Sequence, residues 1–315
     1  MAIMKYISTF LRYLWIVLCP TWYARYYYKR VYKKRLDLKN PIDYLEKVQW
    51  LKVYSDLRQW TKLADKYQVR EYVESCGLGH ILVNLYGVWK DATDINFELL
   101  PDKFVLKTNN GCGTNLLVYD KEKLNNESTV KLLNKWVKER QGLTSFQPHL
   151  WNIERRILAE ELLEDLSTKA ISNSIIDYKF FCFHGEPYFI DVLYDRDNKS
   201  IGAEQKTGGC KIRKNVYDLD WNIIPNILTK HSPYDNLPII PKPACLDEMI
   251  SISRRLSESF PQVRIDLYLV NGKIYFGEMT FTSGKMDEFS KEYLKKMGDK
   301  IDLSLAKRRS KLFII

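Results

Sequence analysis

Apolar residues recur at Ile42, Leu45, Val48, Leu51 and Val53 within PIDYLEKVQWLKVYSD, a spacing that predicts a helix with Pro41 at its first position. TKLADKYQVREYVESCGLG predicts a second helix, stopped by Gly77 and Gly79. HILVNLYGVW is strand-like, and DINFELLPDK leads into FVLKTNNGCGTNLLV, residues 104–118, which reads strand, glycine turn, strand. A helix is predicted near Ser128–Arg140, and RRILAEELLED reads as a strand running into a connector. Two hairpins follow: YKFFCFHGEPYFIDVLYD, turning at His184-Gly185, and VRIDLYLVNGKIYFGEMTF, turning near Asn271-Gly272. Between them residues 202–243 are rich in Gly, Lys, Asn and Pro and predict loops, and LDEMISISRRLSESF is an amphipathic helix. No repeat and no clean linker is visible. The pattern predicts an α+β chain with antiparallel sheets.

The last hairpin contains a choice of register. A two-residue Asn271-Gly272 turn places Asp266 opposite Gly277, which sends Asp266 and Glu278 to opposite faces. A three-residue loop of Asn271, Gly272 and Lys273 pairs Val270 with Ile274 and Asp266 with Glu278. One face then carries Val263, Ile265, Leu267, Leu269, Tyr275, Met279 and Phe281, nearly all apolar. The other carries Arg264, Asp266, Glu278 and Thr280. The hydrophobic alternation favours the longer loop and predicts opposed carboxylates.

Lys107 stands before Gly111-Cys112-Gly113, whereas a P-loop places its lysine after the glycines and a Rossmann turn leads into a helix. Here strand continues after the turn. The segment is therefore a hairpin tip: an ordinary one with an exposed lysine, or a flap whose backbone N–H groups close over phosphates. Cys112 has no neighbouring histidine to activate it as a nucleophile.

Composition narrows the partners. Of 315 residues, 45% are hydrophobic and 28% charged, ordinary for a folded chain, while the net charge of +10 calls for an anionic partner. No helix-turn-helix, zinc-finger or RNA-recognition signature accompanies that charge, so nucleic acid is not expected. The six scattered cysteines form no CxxC pair, which argues against structural zinc and for reduced thiols in a cytosolic compartment. Residues 1–36 hold eight Lys and Arg and no acid before Asp37. Their apolar run YLWIVLCP is too short to span a bilayer and lacks a signal-peptide cleavage pattern. Residues 1–35 are either an interfacial segment for anionic membrane or a helix packed on the body with a solvated basic face.

A nucleoside triphosphate needs cations, a purine shelf, a ribose acceptor and carboxylates for magnesium. Lys66, Lys107, the ILAEELLED strand end, Asp177 with Lys179, and Asp266 with Glu278 supply candidates in that order. Each also has a plainer reading, such as a solvated lysine, a cross-strand pair, or an Arg264–Asp266 ion pair two residues apart. Taken together, LEKVQWLKVY, DKYQVREYV, KTNNGCGTNLLV, DYKFFCFHGEPYFI and VRIDLYLVNGKIYFGEMTF resemble the ATP-grasp superfamily in its teichuronopeptide-biosynthesis (TupA-like) branch, from about Pro41 to Leu305. The resemblance implies ATP and Mg2+ held between two α+β lobes. It implies phosphate contacts from Lys66, Lys107 and the Gly111–Gly113 backbone, an adenine hinge at Glu160 and Glu161, and ribose at Asp177. It further implies Lys179 near the phosphates, Arg264 on the reacting carboxyl, and magnesium on Asp266 and Glu278. Many relatives end the metal motif Glu-x-Asn; here the third position is Thr280.

The implied divisions are a basic N-terminal segment (1–40), an N-terminal α/β portion (41–103), a lid with the glycine hairpin (104–161) and a catalytic portion (162–315). The implied reaction is ADP-forming carboxylate–amine ligation, joining an amino acid or amine to a uronic acid of a surface polysaccharide, in the cytoplasm or at the inner face of the plasma membrane. Two rivals remain: a glycosyltransferase using the D-x-D pattern Asp195–Asp197, and a non-catalytic basic scaffold at the membrane.

Overall fold

A computed structural model describes residues 2–111, 113–139, 141–195, 212–229, 239–284 and 286–310, with side chains from residue 9 onward. Cys112, Arg196 and Asp197 of the D-x-D pattern, and residues 202–211 and 230–238 lie outside the described residues, while residues 213–217, expected as loop, form a strand. The chain opens with α1 (Ala2–Leu18) and α2 (Pro20–Tyr32), then α3 (Tyr44–Tyr54), α4 (Arg58–Ala64) and α5 (Val69–Ser75). A four-stranded antiparallel sheet follows, from β1 (Leu85–Trp89), β2 (Phe104–Thr108), β3 (Asn115–Val118) and β4 (Ile157–Glu161), in order β1-β4-β2-β3. The helix α6 (Asn126–Lys138) lies between β3 and β4 in sequence.

A five-stranded antiparallel sheet is built from β5 (Asp177–Phe183), β6 (Glu186–Tyr194), β7 (Arg213–Tyr217), β8 (Val263–Val270) and β9 (Lys273–Thr280), in order β7-β6-β5-β8-β9. Helix α7 (Leu246–Ser257) precedes β8, and α8 (Lys291–Asp299) follows β9. Each sheet has its own apolar cluster. Phe104, Leu106, Ile157 and Ala159 join Leu133 of α6 in the smaller one. The larger gathers the inner face of the five-stranded sheet with α2, α3, α7 and α8. Residues 41–103 divide between the two clusters. The expected α+β architecture with antiparallel sheets is what the chain adopts.

Three local expectations need correction. Helix α3 begins after Asp43, not at Pro41: the Asp43 carboxylate accepts from Glu46 N at 2.9 Å, and Glu46 Oε2 accepts from Ile42 N at 2.8 Å. This reciprocal cap outweighs proline's preference for a first turn. The second predicted helix is broken into α4 and α5, because Asp65 accepts from Tyr67 N at 2.8 Å and from the Asn109 side chain at 2.8 Å. The third correction is the β8–β9 register. Asn271 and Gly272 both take left-handed backbone (φ 49° and 80°), so the turn has two residues and Val270 pairs with Lys273. Asp266 nonetheless opposes Glu278, because Gly277 is an extra, bulged residue between the Leu267–Phe276 and Asp266–Glu278 pairs. A Cβ at Gly277 would meet the Asp266 carbonyl oxygen at 3.0 Å, so the bulge suits glycine. Ile274 and Phe276, rather than Tyr275, therefore share the core face with Leu267 and Leu269.

Candidate active site

The glycine hairpin forms as predicted: Phe104 pairs with Val118 and Lys107 with Asn115, and no helix starts at Gly113. Its neck is closed by side chains. Thr108 Oγ1 and Thr114 Oγ1 lie 2.6 Å apart, and a Cβ on Gly111 would meet Thr114 Oγ1 at 1.9 Å. Only glycine fits there. Gly113 takes φ 74°, which also favours glycine. Below the tip, Asn109 ties three segments together. Its amide donates to Asp65 and to the Glu154 carbonyl, each at 2.8 Å, while its carbonyl oxygen accepts from Arg156 N at 2.7 Å.

The break at Asp65 is what delivers Lys66. Lys66 N donates to the Asn109 carbonyl at 3.1 Å, so the side chain is aimed across the hairpin. Its ammonium donates to the Gly111 carbonyl at 2.9 Å and lies 3.3 Å from Glu278 Oε2. One lysine thus connects the glycine tip to the far hairpin of the other sheet. Lys107 is placed differently: its ammonium pairs with Glu160, which also sits 3.9 Å from Arg70. No contact joins Lys107 to Asp266 or Glu278 among the described residues; the glycine hairpin is linked to the acid pair through Lys66. Glu160 is buried at its strand end, while Glu161 turns to the opposite face and accepts from Asn84 at 2.7 Å.

Six site residues meet on the five-stranded sheet because β5, β8 and β9 are in register. Lys179 opposes Asp266, which opposes Glu278. The Lys179 ammonium touches Asp266 and lies 2.6 Å from Asp177 Oδ2. Arg264 grips Asp266 with two bonds of 2.6 Å and reaches Glu278 Oε1 at 3.2 Å and Thr280 Oγ1 at 3.0 Å. The Thr280 hydroxyl is also 3.0 Å from Glu278 Oε1. Burial works against the Lys179 ammonium, but Asp177 and Asp266 outweigh it and hold the group above the usual lysine range. Burial likewise opposes charge on Glu278, yet Lys66 and Arg264 together bring its carboxyl well below the usual range. Three carboxylates (Asp177, Asp266, Glu278) thus face three cations (Lys66, Lys179, Arg264).

No group of three or more His, Cys, Asp and Glu side chains offers a ready-made metal cage among the described residues. The donor set present is two opposed carboxylates and the Thr280 hydroxyl, all hard oxygens. Magnesium is suited to such a set, since it takes one or two carboxylates and completes its shell with water and phosphate oxygens. Asp195 of the D-x-D pattern is held by Asn173 at 2.8 Å and Arg213 at 3.1 Å.

Asp65, Asn109 and Arg70 were not among the sequence candidates. Asn109 lies within the KTNNGCGTNLLV motif, but its partners are 44 and 45 residues away in Asp65 and Glu154, and no local spacing announces them.

No curated protein matches the sequence. Among solved structures, the chain is similar to a D-alanine–D-alanine ligase from Bacillus anthracis, with 17% identity, TM-score 0.46, and coverage of 78% of this chain and 64% of that one. It is similar also to the VanG D-Ala:D-Ser ligase from Enterococcus faecalis (13% identity, TM-score 0.42, 79% of this chain and 63% of that one). A third is the ATP-grasp ligase PsnB complexed with minimal precursor, Mg and ADP, with 10% identity, TM-score 0.36, and coverage of 77% and 59%. The chain therefore spans less than two thirds of each of these proteins. The TupA-like ATP-grasp family matches residues 46–302, a stretch that takes in Lys66, the glycine hairpin and the Asp266–Glu278 pair. On that match, over most of its length, the chain belongs to the TupA-like ATP-grasp family.

Proposed function

We propose that this chain is an ADP-forming carboxylate–amine ligase that uses ATP. An acceptor carboxylate oxygen attacks the γ-phosphorus and ADP leaves. An amine nitrogen then attacks the acyl carbon, phosphate departs, and the amine loses a proton. No protein nucleophile is needed, so catalysis is positioning and charge neutralisation. The observation that carries this reading is the Lys66 bridge between Gly111 and Glu278, which joins a phosphate-type flap to an acid pair. Lys66, Lys107 and Lys179 neutralise phosphate oxygens once their present carboxylate partners are exchanged. Glu160 and Glu161 border the adenine, Asp177 takes the ribose, and Arg264 orients the reacting carboxyl. Asp266 and Glu278, with Thr280 beside them, would hold magnesium, which when bound neutralises charge on the transferring phosphoryl group.

The acceptor we assign is a uronic acid of a surface polysaccharide or its precursor, and the donor an amino acid or amine. The net charge of +10 supports an acidic substrate. ADP release should require a uronic acid and an amine together; consumption of a nucleotide sugar without ATP would instead identify a glycosyltransferase.

The place of work we assign is the inner face of the plasma membrane. No helix among the described residues is long and apolar enough to cross a bilayer. Leu11, Trp15 and Leu18 of α1, and Trp22 and Tyr26 of α2, are exposed, and the Trp15 and Tyr26 rings lie 5.0 Å apart, so the two stripes meet. Arg25, Lys29 and Lys33 extend this face with charge suited to anionic headgroups. Deleting the hairpin is a poor test, because Tyr23, Ala24 and Tyr28 are buried in the main core. Leu18→Ser with Trp22→Ser should keep the fold and lose sedimentation with anionic vesicles; unchanged sedimentation rejects the assignment.

A further inference from the structure

Where the α1–α2 hairpin meets the body there is a cavity of about 70 Å³ that the chemistry above leaves unused. Ile16, Pro20 and Phe146 line it with Lys52 of α3, Arg58 of α4 and Arg309. Lys52 is the unusual member. It is 6% exposed, and no carboxylate contacts its ammonium among the described residues. What it has is two aromatic rings, with centroids at 5.5 Å (Phe146) and 5.8 Å (Tyr27). Ring faces offset only part of the cost of burying an ammonium. Burial accordingly pulls Lys52 down to about 7.

The lining carries Lys52, Arg58 and Arg309 against a single carboxylate, Asp56, which lies 2.6 Å from Arg58. Lys52 is thus the buried cation without a carboxylate contact among the described residues, in a lining otherwise largely apolar, around a space that suits one tetrahedral oxyanion. A dianion engages the buried ammonium and the arginine side together, where a carboxylate satisfies less of that field. We propose that this cavity binds a dianionic phosphate group, with Lys52 as its anchoring cation. Inorganic phosphate and the phosphomonoester headgroup of a lipid present the same chemistry. The second source is close at hand, because Ile16 and Pro20 line the cavity while Trp15 and Leu18 beside them are exposed. The site stands whether or not the chain is a ligase.

Calorimetric titration of inorganic phosphate at neutral pH into the full chain tests the site. Lys52→Met keeps the length of the stem and removes an uncompensated charge, so it should fold. It should weaken phosphate binding about tenfold or more, as loss of a charged hydrogen bond does, while Lys107→Ala leaves that component intact. The opposite pattern would place the phosphate at the glycine hairpin and overturn the proposal, as would phosphate binding that neither Lys52→Met nor Arg309→Gln weakens. Should Lys52→Met not fold, the Lys52 side-chain NMR signal in the wild type decides the matter. Phosphate should raise its titration midpoint, and an unmoved midpoint rejects the site. Phosphatidylcholine vesicles with and without phosphatidic acid separate the sources. Sedimentation that depends on phosphatidic acid and Lys52 and is competed by phosphate identifies a lipid headgroup. With phosphate binding established, sedimentation equal in wild type and Lys52→Met identifies the free ion.

Discussion

The β2–β3 and β8–β9 hairpins both lie at a sheet edge and both depend on glycine, but they use it differently. In β2–β3 the glycines are at the tip, and the neck is closed by Thr108, Thr114 and Asn109. In β8–β9 the decisive glycine is within the strand, where Gly277 shifts the pairing by one residue and turns Glu278 toward Asp266. Glycine at the tip lets backbone come close to a ligand; glycine in the strand determines which side chains share a face. A site that needs both a yielding cover and a fixed acid pair obtains them from the same residue type at different positions.

That contrast can be broken experimentally. Asp266→Asn with Glu278→Gln should lower ADP formation by about a thousandfold or more while the fold persists, by analogy with removing preorganised charge from a reaction centre. Full turnover in the double variant would remove the acid pair from the chemistry. Gly277→Val forces a Cβ against the Asp266 carbonyl and should cost about 1–3 kcal/mol of stability together with activity. Gly111→Ala drives a Cβ to 1.9 Å from Thr114 Oγ1 in the closed neck, so it should weaken ATP binding about tenfold or more with the larger drop in Tm of the two. Equal Tm losses in these two variants would erase the distinction.

The smallest effect is in acid. The folded Glu278 carboxyl lies below its unfolded value of about 4.3, so its contribution is complete above that pH and is lost as pH falls further. Glu278→Gln should therefore flatten the acid limb of a stability curve below about pH 4, and an unchanged limb would show that Lys66 and Arg264 do not act on it.

Period-two alternation made both hairpins and the opposition of Asp266 and Glu278 legible in the sequence. It misplaced the extra residue, because a three-residue loop and a two-residue turn with a bulge shift the distal strand by the same one position. Alternation reports parity along a strand, not where parity changes. The break between α4 and α5 was hidden for another reason. Apolar spacing continues through it, and the partner that opens it, Asn109, comes from the turn after β2, 44 residues away. In the same way, sequence could nominate Lys66 as a cation but could not place it on the Gly111 carbonyl and Glu278 at once.

Because a single ammonium is shared by Gly111 and Glu278, the two ends of the cleft are thermodynamically linked. A cation that takes over Glu278 releases Lys66 from the acid and changes how firmly the glycine tip is latched. An anion that draws Lys66 away uncovers Glu278 for a cation. Linkage is reciprocal, so each must alter the affinity of the other by the same factor, whichever arrives first. Order of addition would then leave its mark on rates alone, and replacing Lys66 with an uncharged residue would uncouple the two equilibria.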